Sequence, residues 1–208
     1  MKKARIAVLV SGGGTNLQAL IDAQNSGIIK SGELALVISN NSGAYALERA
    51  TKARIPTAVV LKKECGSQDA FEEKIKTLLS ENEIDFIVLA GFMSILSENF
   101  TKDFPERILN VHPSLIPSFC GVGMYGHYVH EAVLAYGAKI SGATTHFVDE
   151  EVDHGGVIMQ KSVPVLEGDT PETLAARVLT VEHEILPETV RLFCAGKLGV
   201  DGRHVHVL

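Results

Sequence analysis

The sequence predicts an α/β protein on a doubly wound, mostly parallel sheet with a Rossmann-like N-terminal half. Three observations carry that reading. Apolar, β-rich runs alternate with segments of helical periodicity through the first 110 residues. One of those runs, Phe86–Ala90, is apolar without alternation, as a strand covered on both faces requires. The first strand also runs directly into a glycine cluster, Ser11-Gly12-Gly13-Gly14-Thr15-Asn16, at the strand-to-helix junction where such sheets bind phosphates.

The elements follow in order. Arg5–Val10 reads as the first strand, and the glycine cluster opens a helix whose Leu17, Leu20 and Ile21 fall on one face. Leu34–Ser39 is a second strand; the turn-like Asn40-Asn41-Ser42-Gly43 then leads to a helix over Ala44–Ala53. Thr57–Leu61 is a third, short strand. A charged helix near Gln68–Ser80 precedes Phe86–Ala90, and the Ile108–Val111 strand comes next. Pro113–Gly126 holds two prolines and three glycines and suits an ordered loop, with His130–Tyr136 a short helix beyond it. Ser141–Val148 and Val157–Val165 read as strands flanking an acidic loop. Thr170 is placed as an N-cap with Pro171 at the first helical position, starting a long helix towards Leu192 that Pro187 is expected to kink or interrupt. Without repeats, low-complexity linkers or a break in composition, residues 1–208 read as a single domain. Residues 1–110 read as its Rossmann-like half and 111–208 as a less regular second half.

Composition sets the outer limits. The 208 residues are 46% hydrophobic and 21% charged, with a formal net charge of −6, which argues against a dedicated nucleic-acid binder. A small anionic ligand remains compatible, because a local site can oppose the global charge. Cys65, Cys120 and Cys194 are odd in number and scattered, as in a reducing compartment. The apolar N-terminal run is too short for a signal peptide and no stretch is long enough to span a bilayer, so a cytoplasmic location is expected.

The chemistry concentrates in a few places. In Asn110-Val111-His112-Pro113-Ser114, at the exit of an apolar strand, Asn110 and His112 are two apart and project to the same face. An amide donor beside a titratable ring is what a developing oxyanion needs. Spacing alone leaves the pair equally readable as a satisfied buried histidine and a turn asparagine. In the glycine cluster, a dinucleotide fingerprint would want a third glycine where Leu17 stands and an acidic residue where the second strand ends in Ser39-Asn40-Asn41. A single phosphate fits better; a tight turn without a ligand is the plainer alternative. Among eight histidines, His127 and His130 are three apart, and His112, His146 and His154 are candidates to converge, yet no Cys or carboxylate stands at ligand spacing and no metal site is expected. His204 and His206 are placed on a solvated tail. The acidic loop Asp149–Asp153 ends against Gly155-Gly156, which lets it fold tightly, and Asp153 on His112 would favour the imidazolium.

Taken together, these residues resemble the folate-dependent formyltransferases across nearly the whole chain. VLVSGGGTNLQALID is similar to the family's phosphate loop, LAGFMSIL to its folate-loop segment, and LNVHPSLIP to its Asn-x-His signature. HFVDEEVDHGG resembles the stretch that supplies the third catalytic residue. Position by position, the resemblance implies Asn110, His112 and Asp153 as the catalytic set. It implies Gly14, Thr15 and Asn16 as the holders of the phosphate of glycinamide ribonucleotide, with Glu182 on that substrate's polar groups. Met93, Ser94, Ile95 and Leu96, with Asn110 and the Asp149–Asp153 loop, would line the pocket for the co-substrate, 10-formyltetrahydrofolate. Ser94 stands where some relatives carry Arg, and Gln68 where a relative has an Arg reaching towards the folate tail. The resemblance implies no metal, no nucleic acid and no membrane, in a monomer or homodimer.

Hydrolysis of formyltetrahydrofolate by a deformylase is the close alternative. Such a deformylase is expected to carry an added N-terminal regulatory module and no SGGGTN loop. A transferase acting on methionyl-tRNA would need a further C-terminal domain, for which the residues after Leu198 leave no room. A non-catalytic phosphate-binding protein would need the glycine loop but not Asn110, His112 and Asp153 together.

Overall fold

The computed structural model describes residues 2–208. Its first half is the expected alternation: β1 (Ala4–Val10), α1 (Thr15–Asn25), β2 (Gly32–Ser39), α2 (Tyr45–Lys52), β3 (Thr57–Val59), α3 (Lys62–Cys65), α4 (Gln68–Glu81), β4 (Phe86–Leu89), α5 (Glu98–Lys102) and β5 (Ile108–His112). There follow α6 (His127–Tyr136), β6 (Ile140–Phe147), β7 (Val157–Pro164), α7 (Pro171–Cys194), β8 (Leu198–Asp201) and β9 (His204–Val207). Seven strands form one sheet in the order β3-β2-β1-β4-β5-β6-β7, and β8 pairs with β9 apart from it. The pairings from β3 to β5 are parallel; β6 and β7 add antiparallel ladders on the β5 side.

The period of two along β1 explains why the sheet is covered on both faces. Ile6, Val8 and Val10 pack with Leu17 and Leu20 of α1 and with Leu186 and Val190 of α7. Ala7 and Leu9 turn to the other side, against Phe71 and Ile75 of α4 and Phe100 of α5. A third cluster, with Val129 and Val133 of α6, Leu174 and Val178 of α7, and Ala143 and Val163 of the antiparallel strands, closes the far end. Burying each of the Val, Leu, Ile and Phe side chains among them contributes about 1.5–3 kcal/mol.

Where structure and sequence expectation part, the reasons are local. The helices α3 and α5 were not anticipated, because four or five residues leave no periodicity to read. α6 starts at His127, three residues before the expected His130. Pro187 does not interrupt α7, which runs unbroken for 24 residues. The lost backbone bond is offset by burial of Leu186, Pro187, Thr189 and Val190 in the same stretch. Thr170 caps α7 as expected, accepting from the Thr173 amide in a reciprocal capping box with Pro171 next to it. The C-terminal tail is a hairpin in which Asp201 pairs with His204 across Gly202-Arg203, where Gly202 takes the positive φ of 59° at the first turn position. His204 and His206 on it are exposed. Among the described residues, no helix is long and apolar enough to cross a membrane.

Candidate active site

In the strand order β3-β2-β1-β4-β5, the chain runs outward from β1 through β2 to β3 and then returns to the opposite side of β1 as β4. The reversal opens a crevice beyond the carboxyl ends of β1 and β4, the place where open α/β sheets bind ligands. The glycine loop leaves β1 there and Gly91–Leu96 leaves β4. The two are tied by the Met93 amide, which donates to Ser11 Oγ at 2.8 Å. A cavity of about 590 Å³ fills the crevice, and every predicted site residue except Gly14 lines it.

Asn110 and His112 sit on β5, directed alike into this cavity as the period of two requires. Antiparallel pairing sets His146 of β6 opposite Asn110. Asn110 Nδ2 lies 3.1 Å from His146 Nε2, and His146 Nδ1 lies 2.7 Å from the Phe147 carbonyl oxygen. A carbonyl only accepts, so Nδ1 carries the proton and Nε2 accepts from Asn110. Burial holds the His146 ring below its ordinary value of 6.5, in keeping with this neutral tautomer. One hydrogen on Asn110 Nδ2 remains for a ligand.

His112 is buried, with 4% of its surface exposed. Its Nε2 donates to the Phe119 carbonyl at 2.9 Å, and its Nδ1 stands 3.4 Å from Asp153 Oδ2. Both ring nitrogens thus face oxygen acceptors. Asp153 Oδ2 also accepts from the Gly121 amide at 3.0 Å, and Oδ1 lies 3.7 Å from His146 Nε2. The loop that delivers Asp153 turns where Gly155 meets Phe147. A Cβ on Gly155 would come within 2.0 Å of the Phe147 carbonyl oxygen, so the tight fold expected of the glycine pair requires glycine there. From the C-terminal hairpin, Arg203 donates to the His154 carbonyl at 2.6 Å and holds the loop from outside. His154 faces Arg203 and Asp149 and does not join His112 and His146, so the three histidines do not converge.

The remaining predicted residues fall into two sets. Asn16 Nδ2 donates to Glu182 Oε2 at 2.7 Å, both buried, and Asn16 Oδ1 has no hydrogen-bond partner among the described residues. Burial pushes the Glu182 carboxyl above its ordinary range, against the lowering effect of the Asn16 bond. Thr15 lines the cavity beside them, whereas Gly14 takes the left-handed turn (φ 70°) that starts α1. On the other wall, Met93 and Ile95 are exposed, Leu96 is buried, and Ser94 Oγ accepts from Asn40 at 2.7 Å. The amide of Gln68 donates to Glu72 and to the Ile95 carbonyl. Among the described residues no Lys or Arg lines the cavity, while Asp149, Glu150, Glu151, Asp153 and Glu182 do.

Sequence reasoning missed His146 as the partner of Asn110 and the Phe119 carbonyl as that of His112. The first had a signal: a histidine near the end of the strand Ser141–Val148, beside Phe147 and Val148, needs a hydrogen-bond partner once buried. The second had none.

The chain is 43% identical to the phosphoribosylglycinamide formyltransferase of Haemophilus influenzae over 95% of its own length and 90% of the relative's. It is 45% identical to the trifunctional purine biosynthetic protein adenosine-3 of Bos taurus, with 97% of the chain matched but only 20% of that longer protein spanned. The solved glycinamide ribonucleotide transformylase 1 of Symbiobacterium toebii superimposes with a TM-score of 0.94 at 43% identity, covering 99% of this chain and 94% of that one. A formyltetrahydrofolate deformylase from Pseudomonas syringae shares the fold (TM-score 0.90) at 25% identity, all of this chain matching 66% of that one. The formyl transferase family model matches residues 4–190, a span that takes in the glycine loop, both β5 side chains and the Asp153 turn, and the chain belongs to that family.

Proposed function

We propose that the protein transfers the formyl group of 10-formyltetrahydrofolate to the amine of glycinamide ribonucleotide, a step of purine biosynthesis. The observation that carries this reading is the meeting, in one cavity, of Asn110, His112 and Asp153 with the Thr15-Asn16 end of a glycine loop. A hydrolase needs the first set; only a transferase with a phosphorylated acceptor needs both.

The neutral amine attacks the formyl carbon, forming a C–N bond while the carbonyl pair moves onto oxygen. Asn110 gives its free Nδ2 hydrogen to that oxyanion, and the Nε2–H of His112 exchanges the Phe119 carbonyl for it. Asp153 balances the charge on His112. A water held on Asp153 carries a proton from the attacking nitrogen to N10 of the folate, the C–N10 bond breaks, and the carbonyl reforms. The products are the N-formylated ribonucleotide and tetrahydrofolate. Thr15, Asn16 and Glu182 hold the ribonucleotide, while Met93, Ser94, Ile95, Leu96 and the Asp149–Asp153 loop enclose the folate.

Incubation with the co-substrate alone tests the assignment, because a transferase keeps the formyl group from water until the amine arrives. Little formate is expected. Added glycinamide ribonucleotide should give formylated product in step with tetrahydrofolate, undiminished by a chelator. Formate release that ignores the ribonucleotide would assign a deformylase, and no turnover a binding protein.

A further inference from the structure

From the backbone of the glycine loop we infer that Arg49, on α2 and outside the cavity, is a positioning residue for phosphate recognition; the inference rests on the phosphate role given to this loop under the proposed function. Two successive carbonyls of the loop are held by α2. Gly12 O accepts from the Ala46 amide at 3.0 Å, and Gly13 O accepts from Arg49 Nε at 2.8 Å. In a planar trans peptide the N–H of the next residue points opposite to the carbonyl. Turning both carbonyls onto α2 therefore turns the Gly13 and Gly14 N–H groups away from it. Neither group donates to an acceptor within the described residues. Beyond them α1 begins without a side-chain cap, so its first amides are free as well. Successive amides directed to one side, followed by an uncapped helix start, form an anion nest.

The state of Arg49 supports this role. Among the described residues it has no carboxylate within salt-bridge distance; its other contacts are Gln18 Oε1 at 3.1 Å and the Tyr45 ring at 5.0 Å. Its guanidinium charge is thus not cancelled by an ion pair, and it lies directly behind the loop. Since the cavity offers no Lys or Arg to a phosphate dianion, this charge adds to the field of the amides. Arg49 does not touch the ligand. It acts through the Gly13 carbonyl, by orienting the amides that do.

The test reads the amides directly. Inorganic phosphate titrated into the isotopically labelled protein should shift the Gly13, Gly14 and Thr15 amide resonances saturably. Arg49→Met keeps the aliphatic stem and should weaken that binding about tenfold, with Arg49→Lys between the two. Unshifted amides in the wild type, or equal affinity in all three proteins, would overturn the inference whether or not the protein is a transferase. In turnover, Arg49→Met should raise KM for glycinamide ribonucleotide by a similar factor, with kcat and the folate KM retained. The phosphate-free glycinamide riboside should be used equally well by both proteins, and serves as the control for folding. An equal loss on both acceptors would mark Arg49 as merely structural.

Discussion

Asp153 holds its backbone in the left-handed region at φ 57°, where few side chains other than Asn and Asp are comfortable. From there its carboxylate reaches His112, His146 and the Gly121 amide. This backbone makes Asp153→Asn an informative change, because asparagine tolerates the same φ and the loop should keep its shape. Turnover is expected to fall about a hundredfold or more with little change in thermal midpoint, since only the charge facing His112 is lost. Asn110→Ala and His112→Ala should each lower kcat by about 10²–10³-fold, as removal of one oxyanion donor does, with the folded state retained in a thermal melt. Near-normal kcat in either would refute the roles assigned. The convergence of Asn110 and His112 was legible, because two residues apart on a strand means one face. Their partners were not: Phe119 and Gly121 reach the site through a loop whose course no periodicity encodes.

At the scale of elements, junctions decide more than propensities. Gly14 joins the glycine loop to α1 at φ 70°, and a Cβ there would meet Ala46 Cβ of α2 at 2.6 Å and its backbone Cα at 2.8 Å. Gly14→Ala should therefore destabilise the protein by about 1–3 kcal/mol, read in urea denaturation, and weaken phosphate binding as the loop shifts. The penalty comes from two causes, the strained φ and the close approach, and neither is visible in a string of three glycines. At the head of α7, Thr170→Ala should cost about 1 kcal/mol in the same measurement by leaving the Thr173 amide unpaired. That cap was readable from Thr170-Pro171 alone, since capping is a contact among neighbours in sequence. The continuity of α7 through Pro187 was not, because the burial that offsets the lost bond comes from β1 and the strands beneath it.

For the whole molecule, buried ionisable groups set how stability follows pH. His130 is buried, and desolvation, followed by repulsion from His127 and His112, brings its ring from 6.5 down to about 4. His146 and His183 are lowered too, mainly by burial. A histidine lowered in the folded state stabilises it fully above the unfolded value of 6.5, and that stability is lost as pH falls towards the folded value. Asp169, held low by its hydrogen bonds with Arg177, Leu166 and Thr173, adds a further loss below its ordinary 3.8. Glu182, raised by burial, acts in the opposite sense above 4.5. The free energy of unfolding should thus fall between pH 7 and 5, and His130→Gln should reduce that fall by roughly 1–2 kcal/mol in paired urea titrations. An unchanged slope would show that His130 titrates normally. The sequence by itself determined the alternation of strands and helices, the two-sided sheet, the α7 cap, the glycine loop and the Asn110–His112 pair. Each of these follows from spacing along a periodic backbone or from contacts a few residues apart. Only the tertiary structure decided that Asp153 faces His112, that His146 engages Asn110, and that α2 turns the glycine-loop amides outward. Those outcomes depend on strand register, loop course and packing between segments 36 to 41 residues apart, where pairing is selected by the burial of the whole core and not by the residues that meet.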